Sequence, residues 1–345
     1  MKRVLVVQTA YLGDVILSQP LWSALKTARP DVELDVLVQP QWAPLLTADP
    51  ALSQIITFDK RGSERGFSGL WRTARRLADR GYDAAICPHP SFRSAGLLYL
   101  ARIPQRVGFA DSSGRWLFTH RVPRDISRHE VERILSLLTV WNVPPADPHR
   151  KPKLWLDPHL EREAERKLRS WGIAPEGKYV CVHPGSVWAT KRWLPEGFAG
   201  VLSELAEEGY QPVVLGGAAD IVEANLVQDR VRELPINLAG RLTLPELALV
   251  LARAALLVTN DSGPMHIAGA LGTPVAALFG STTPQLGYAP VGSPSKIIEH
   301  PMLCRPCGPH GYRKCPQSHF DCMKLITVEQ VLAACRELLQ STIES

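Results

Sequence analysis

The sequence predicts an α/β protein of two doubly wound domains, each a parallel sheet flanked by helices, and three observations lead there. The chain has 345 residues, which at roughly 100 to 200 residues per domain suggests two domains. Short apolar runs rich in β-branched residues alternate with segments whose leucines recur at helical spacing, the pattern of parallel strands joined by helices. Between the halves, NVPPADPHRKPKLWL carries prolines that neither a helix nor a sheet interior accepts, so Asn142 to about Leu156 reads as a linker. The domains are then 1–155 and 156–345.

Taken in order, Val4–Val7 is a strand, and from Asp14 the leucines at 17, 21 and 25 mark a helix that Pro20 is expected to kink. Leu34–Val38 and Ile55–Phe58 read as strands, Phe67–Asp79 as a helix, Ala84–Cys87 as a strand, Ser94–Ala101 as a helix and His129–Trp141 as helical. The second half repeats the plan with strands at Tyr179–His183, Pro212–Leu215, Leu256–Thr259 and Val275–Phe279. Its helices fall at Glu196–Glu208, Asp220–Arg232, Leu244–Ala252, Met265–Leu271 and Leu325–Leu339. In such a fold the ligand is expected between the domains, at the carboxyl ends of the strands.

Composition excludes several classes. Hydrophobic residues at 45% and charged residues at 21% rule out a disordered chain, collagen and a coiled coil. The net charge of +5 suits an anionic ligand or membrane surface without requiring nucleic acid, and no basic stripe interleaved with aromatics stands out beyond Lys191–Trp193. No apolar stretch approaches the ~18 residues that span a bilayer, and the N-terminal run reaches polar Gln8 at once, so neither anchor nor signal peptide is expected and the cytoplasm is the expected compartment. A dinucleotide fingerprint needs two glycines separated by one residue, and no pair here has that spacing. GIAPEGK at 172–178 matches a Walker-type spacing but precedes a strand and is followed by Tyr179, so it reads as a turn.

Chemistry is expected on four loops. After the first strand, QTAYLGDVILSQP holds Gly13, which suits a tight turn, and Asp14, which is either a general base or a helix N-cap. CPHPSFRSA places His89, Ser91 and Arg93 at a strand end. In YVCVHPGSVWATKRWLPEGF, Gly185 and Ser186 offer donors to a phosphate and Lys191 a charge, or the basic pair is ordinary surface. In LLVTNDSGPMHIAGALGTP a strand ends at Thr259, Asp261 or Ser262 caps a short helix, Pro264 lies near its first position, and Gly272 with Pro274 ends it. The N–H groups around Ser262, Gly263 and Met265 suit a diphosphate, with His266 near.

LGDVILSQP, HPSFRSA, HPGS, TKRW, NLAG and TNDSGPMHIAGALGTP together, in order along almost the whole chain, resemble glycosyltransferase family 9, the ADP-heptose:lipopolysaccharide heptosyltransferases, and most of all the heptosyltransferase II branch. The resemblance implies the GT-B architecture, two facing Rossmann-like domains with acceptor on the first and nucleotide-sugar on the second. It implies inverting transfer of heptose from an ADP-heptose donor to a lipid A-core acceptor, with no cofactor required for catalysis. It makes Asp14 the base, with Gly13, His89, Ser91 and Arg93 toward the acceptor. It places Ser186, Thr190, Lys191, Asp261, Ser262, Gly263 and His266 at the donor diphosphate, and Gly216 and Gly217, with Asp220 or Glu223, near the nucleoside.

Cys304, Cys307, Cys315 and Cys322 crowd one proline-rich segment. Four soft ligands in so few residues suit a structural Zn or Fe site, with disulfides or free thiols as alternatives. Without an anchor the enzyme is expected to meet a lipid acceptor peripherally, at the inner face of the cytoplasmic membrane. Lys60, Arg61, Arg65, Arg72, Arg75 and Arg76, interleaved with Phe67, Leu70 and Trp71, resemble an interfacial segment or else form a solvated basic face. The competing functions are a transferase of another sugar or a protein acceptor, and a non-catalytic nucleotide-binding protein.

Overall fold

A computed structural model describes residues 1–143, 151–175 and 178–341. Residues 144–150 of the expected linker, and Glu176 and Gly177 of GIAPEGK, lie outside the described residues. The chain divides into two compact units, Met1–Trp155 and Leu156–Ser345.

In the first unit the elements run β1 (Arg3–Val7), α1 (Leu12–Ala28), β2 (Glu33–Val38), β3 (Gln54–Thr57), α2 (Gly66–Ala78), β4 (Ala84–Cys87), α3 (Phe92–Leu100), β5 (Gln105–Phe109), β6 (His120–Val122) and α4 (Glu130–Ser136). The strands form one parallel sheet in the order β3-β2-β1-β4-β5-β6. The order reverses between β1 and β4, which opens a crevice at their carboxyl ends. β1 is central, and Val4, Leu5, Val6 and Val7 are fully buried, so the run is apolar without alternation. Two details of α1 differ from expectation. Gly13 is its second residue rather than part of a turn: the helix starts at Leu12, two residues before Asp14, with Tyr11 as its N-cap and the Asp14 carboxylate accepting the Tyr11 N–H at 3.1 Å. The helix also runs through Pro20 to Ala28, its length from Val15 to Trp22 packed against the core.

In the second unit α5 (Pro158–Arg162) and α6 (Ala164–Ser170) lead to β7 (Tyr179–His183), α7 (Pro195–Glu207), β8 (Gln211–Val214), α8 (Ile221–Gln228) and β9 (Ile236–Asn237). There follow α9 (Leu244–Arg253), β10 (Leu256–Asn260), α10 (Gly263–Leu271), β11 (Val275–Phe279), β12 (Ser295–Glu299), α11 (Asp321–Lys324) and α12 (Val328–Ser341). Its sheet is again parallel, ordered β12-β11-β10-β7-β8-β9, with the reversal between β7 and β10. Val182, Phe198, Leu202, Val258, Leu278 and Met323 lie in one buried cluster that joins α7, α11 and α12 to the sheet. α10 follows its motif closely: Ser262 takes the cap position, Pro264 is the second helical residue, and Gly272 closes the helix in the left-handed region at φ 85°. The segment expected as one helix from His129 tightens into a 3₁₀ turn at Leu137–Trp141.

Candidate active site

At the carboxyl end of the first sheet, Asp14 follows β1 and His89 follows β4, on either side of the strand reversal. Asp14 is half-buried, and its pKa is pushed up to about 6. Burial is the main cause and the Glu130 carboxylate the second, while the Tyr11 N–H and the Arg124 cation pull the other way. Glu130, at the start of α4, is itself buried and held by both oxygens to Arg124, at 2.8 and 2.8 Å, and to Arg133 at 2.9 Å. α4 packs along α1, which brings this network to Asp14. His89 has its pKa lowered to about 4 by burial and by the Lys60 and Arg124 cations, so its ring is neutral at pH 7. Lys60 reaches the same crevice, donating to Thr9 Oγ1 at 3.3 Å.

The two remaining residues of this loop have local duties. Ser91 caps α3, accepting from the Ser94 N–H at 3.4 Å. Arg93 donates to the carbonyls of Lys60, Glu64 and Gly66 at 2.9, 3.0 and 3.2 Å, and its guanidinium stacks on Phe58, so it ties down the 60–66 loop. Lys60, Arg124 and Glu130 were not singled out at this crevice from sequence. They lie far along the chain from Asp14, and only the fold brings them to it.

At the carboxyl end of the second sheet, Lys191 Nζ donates to Asp261 Oδ2 at 2.6 Å, and Thr282 Oγ1 donates to the same oxygen at 2.7 Å. The Lys191 and Asp261 side chains are only 13% and 9% exposed. The Asp261 carboxylate is thus the partner that holds the lysine. Ser262 Oγ lies 3.2 Å from Thr259 Oγ1 and 3.5 Å from His183 Nδ1; Gly263 begins α10, and the Met265 N–H, expected to face the diphosphate, instead donates to the Ser262 carbonyl at 3.2 Å. His266 is buried in that turn. Thr190 differs from expectation in that its hydroxyl is already committed: it accepts from the Tyr312 N–H at 2.8 Å and lies 3.0 Å from Ser281 Oγ. The Ser186 carbonyl is held by Arg192, at 2.9 and 2.7 Å.

Asp220 sits below the loop after β8. The Gly217 N–H donates to its Oδ2 at 3.0 Å, and His183 Nε2 lies 3.6 Å from the same oxygen. Burial raises its pKa, but His183 and the Gly217 N–H outweigh burial and hold it below the usual carboxylate range. A Cβ on Gly185 would overlap the Asp220 carboxylate, and one on Gly216 would stand 3.0 Å from the Asp220 Cβ. Those glycines are therefore needed for close approach. Glu223 pairs with Arg192. Sequence reasoning missed His183, Ser281 and Thr282. Each stands at or just past the carboxyl end of a strand, the position that marks ligand sites in this fold.

The four clustered cysteines are free thiols. Burial, then Cys304 and Cys315, raise the Cys307 pKa, and Cys322 is pushed up to about 11 mainly by burial. Cys304 Sγ lies 3.8 Å from His319 Nε2. The donor types suit zinc or iron. Among the described residues, however, no three His, Cys, Asp or Glu side chains stand together closely enough to hold an ion.

The chain is similar to known proteins along its length. The profile of glycosyltransferase family 9 (heptosyltransferase) matches residues 70–314. The lipopolysaccharide heptosyltransferase 2 of Salmonella typhimurium is 29% identical, over 98% of both chains. Among solved structures, the ADP-heptose LPS heptosyltransferase II of E. coli superposes with a TM-score of 0.82 at 27% identity, over 99% of both chains. The family 9 glycosyl transferase of Veillonella parvula superposes with a TM-score of 0.88 at 26% identity, over 99% of this chain and 98% of that one.

Proposed function

Since the chain belongs to glycosyltransferase family 9, we propose that it transfers a heptose from ADP-heptose to the lipopolysaccharide inner core, with inversion at the anomeric carbon, as a heptosyltransferase II-like enzyme. Its two parallel six-stranded sheets are those of the GT-B heptosyltransferases. The main support within the molecule is the donor end of the second sheet, where a partly buried lysine, set by a carboxylate, stands with the N-terminus of α10 at the carboxyl ends of β10 and β11. That arrangement suits a departing diphosphate and little else.

In the reaction the acceptor hydroxyl attacks the anomeric carbon, its proton passes to Asp14, and the bond from that carbon to the diphosphate oxygen breaks. A carboxylate with a pKa of about 6 is ionised at neutral pH yet more basic than a surface aspartate. His89, uncharged, offers a ring nitrogen to an acceptor hydroxyl without competing as a cation. Negative charge gathers on the leaving ADP, and Lys191 with the first turn of α10 stabilises it, so that no divalent ion is obligatory.

Among the described residues no helix is long and apolar enough to cross a membrane. A lipid-borne acceptor is then met at the membrane surface, through the basic, partly apolar face of α2. Zinc or iron at Cys304, Cys307, Cys315 and Cys322 has a structural place only, ordering that segment.

The test is incubation of the purified chain with ADP-heptose and lipid A-core acceptors of defined length. A product heavier by one heptose on the inner core is expected. Release of ADP only with another acceptor class, or only from another nucleotide-sugar, overturns the assignment.

A further inference from the structure

The cysteine-rich segment is built into the donor site. Thr190 and Tyr312 are joined by backbone as well as side chain: the Thr190 N–H donates to the Tyr312 carbonyl at 3.1 Å, and the Tyr312 N–H donates to Thr190 Oγ1 at 2.8 Å. Gly311, just before Tyr312, has φ +79°, and a Cβ there would lie 2.7 Å from Ser281 Oγ, 3.0 Å from Thr190 Oγ1 and 3.4 Å from Lys191 Cγ. Only glycine fits both that backbone conformation and that approach. The segment is tied to the loop after β11 as well, through the Cys307 N–H to the Ser281 carbonyl at 2.8 Å. The Arg305 side chain, 4% exposed, donates to the carbonyls of Phe279 and Thr282 at 3.0 and 2.9 Å.

These contacts act on the two ends of one side chain. The stem of Lys191 starts beside the Gly311 turn, and its ammonium ends on Asp261, whose oxygen is also held by Thr282 next to Ser281. A lysine left to itself has four rotatable bonds, and fixing it before the anion arrives is what makes its charge effective at a developing negative centre. The geometry points to the Gly311–Tyr312 turn as a positioning element of the donor site, one that sets Lys191 for the diphosphate of the nucleotide-sugar. This rests on the reading of Lys191 as the diphosphate's cation. Gly311 and Tyr312 are positioning residues: they act through Thr190, Ser281 and Lys191.

The experiment is a double-mutant cycle on the full chain, with ADP as the probe, read by calorimetry, and the KM for ADP-heptose read alongside. Lys191→Ala is expected to weaken ADP by about tenfold or more, and Gly311→Ala by about 5- to 30-fold with the KM for acceptor unchanged. In the Lys191→Ala background, Gly311→Ala should cost less than about twofold, because the group it positions is gone. A turn that merely stabilised the fold would carry the same penalty in both backgrounds, and that result overturns the proposal. So does Gly311→Ala with ADP affinity within about twofold of the parent. If Gly311→Ala does not fold, Ser281→Ala decides in its place, with about a threefold loss in the parent and none beside Lys191→Ala supporting the proposal, and equal losses refuting it. Unchanged ADP affinity in Lys191→Ala refutes the donor-site reading itself and the positioning role with it, whereas a loss there without one at Gly311 or Ser281 refutes the positioning role alone.

Discussion

Asp14 does two things with one carboxylate, and they pull on its proton in opposite directions. It accepts the Tyr11 N–H at the start of α1, which favours the ionised form, while burial and the Glu130 charge favour the neutral one and win, leaving a pKa of about 6. Because this value lies above that of an unfolded aspartate, the folded state holds its proton more tightly. Stability attached to Asp14 is therefore present at low pH and lost as pH rises from the unfolded value through about 6. Asp14→Asn, which keeps an oxygen for Tyr11 and removes the charge, should then raise stability at pH 7 by at most about 3 kcal/mol in denaturant titrations. The same variant should lower turnover by about 10² to 10⁴ while ADP affinity stays near normal. Near-normal turnover would leave Asp14 as a cap alone. For the unmodified enzyme, kcat/KM should fall on the acid side with an apparent pKa near 6, and an acid limb near 4 would mean that burial does not act on this carboxylate. Asp14 was legible from sequence as a base or an N-cap; the structure makes Tyr11 the N-cap and Asp14 the third helical residue, whose carboxylate accepts the Tyr11 N–H. The Glu130, Arg124 and Arg133 network is local in sequence, Glu130 and Arg133 standing three residues apart, but its approach to Asp14 was not legible, because it comes only from the packing of α4 on α1.

Elements with strong local signals were legible and those that depend on neighbours were not. α10 was foreseen with its closing glycine, and its cap was narrowed to Asp261 or Ser262, of which Ser262 takes the position, since Ser, Pro and Gly each act locally on the backbone. β5, β6, β9 and β12 were missed: QRVGF, HRV, IN and SKIIE are short or mixed in polarity, and pairing with an already formed strand makes them strands. At this scale the donor site predicts its own ion dependence. In the proposed mechanism a partly buried lysine and a helix N-terminus supply positive charge at the leaving group, so EDTA should leave the transfer rate intact once loss of any cysteine-bound metal is excluded, and rescue by Mg²⁺ after EDTA inactivation would contradict this mechanism. The cysteine segment makes a separate prediction. Its four cysteines form no disulfide and, among the described residues, no closed set of ligands, so metal loading should draw them inward. Elemental analysis is expected to find about one equivalent of zinc or iron per chain, and Cys307→Ser to lower both metal content and thermal stability. Intact mass short of four hydrogens, with no metal, would mean two disulfides instead.

For the molecule as a whole, the proposed lipid-borne acceptor sets a physical problem, since among the described residues no helix is long and apolar enough to cross a membrane. The net charge of +5 is modest, so an even distribution would do little. The first unit concentrates it. Arg72 and Arg75 are exposed on α2, and on the same helix Phe67 is 71% and Trp71 44% exposed, while Thr73, Ala74 and Leu77 face the core. Arg61 adds a cation over the exposed ring of Tyr11. Arg76 contributes less, because it is shared with Glu64 and the Thr57 carbonyl. Two exposed aromatics among cations have no use inside this unit, and they suit an anionic interface, where each Lys or Arg contributes about 1 kcal/mol. Binding should therefore be reversible, stronger on vesicles with anionic lipid than on neutral ones, and should weaken steeply as salt rises and the screening length falls to ~10 Å at 0.1 M. Co-sedimentation measures this, with Phe67→Ser and Trp71→Ser expected to reduce the bound fraction at every salt concentration, and Arg72→Gln with Arg75→Gln expected to remove the preference for anionic lipid. Equal, salt-insensitive binding to both kinds of vesicle, or none to either, would return α2 to an ordinary solvated helix and require another route to the lipid.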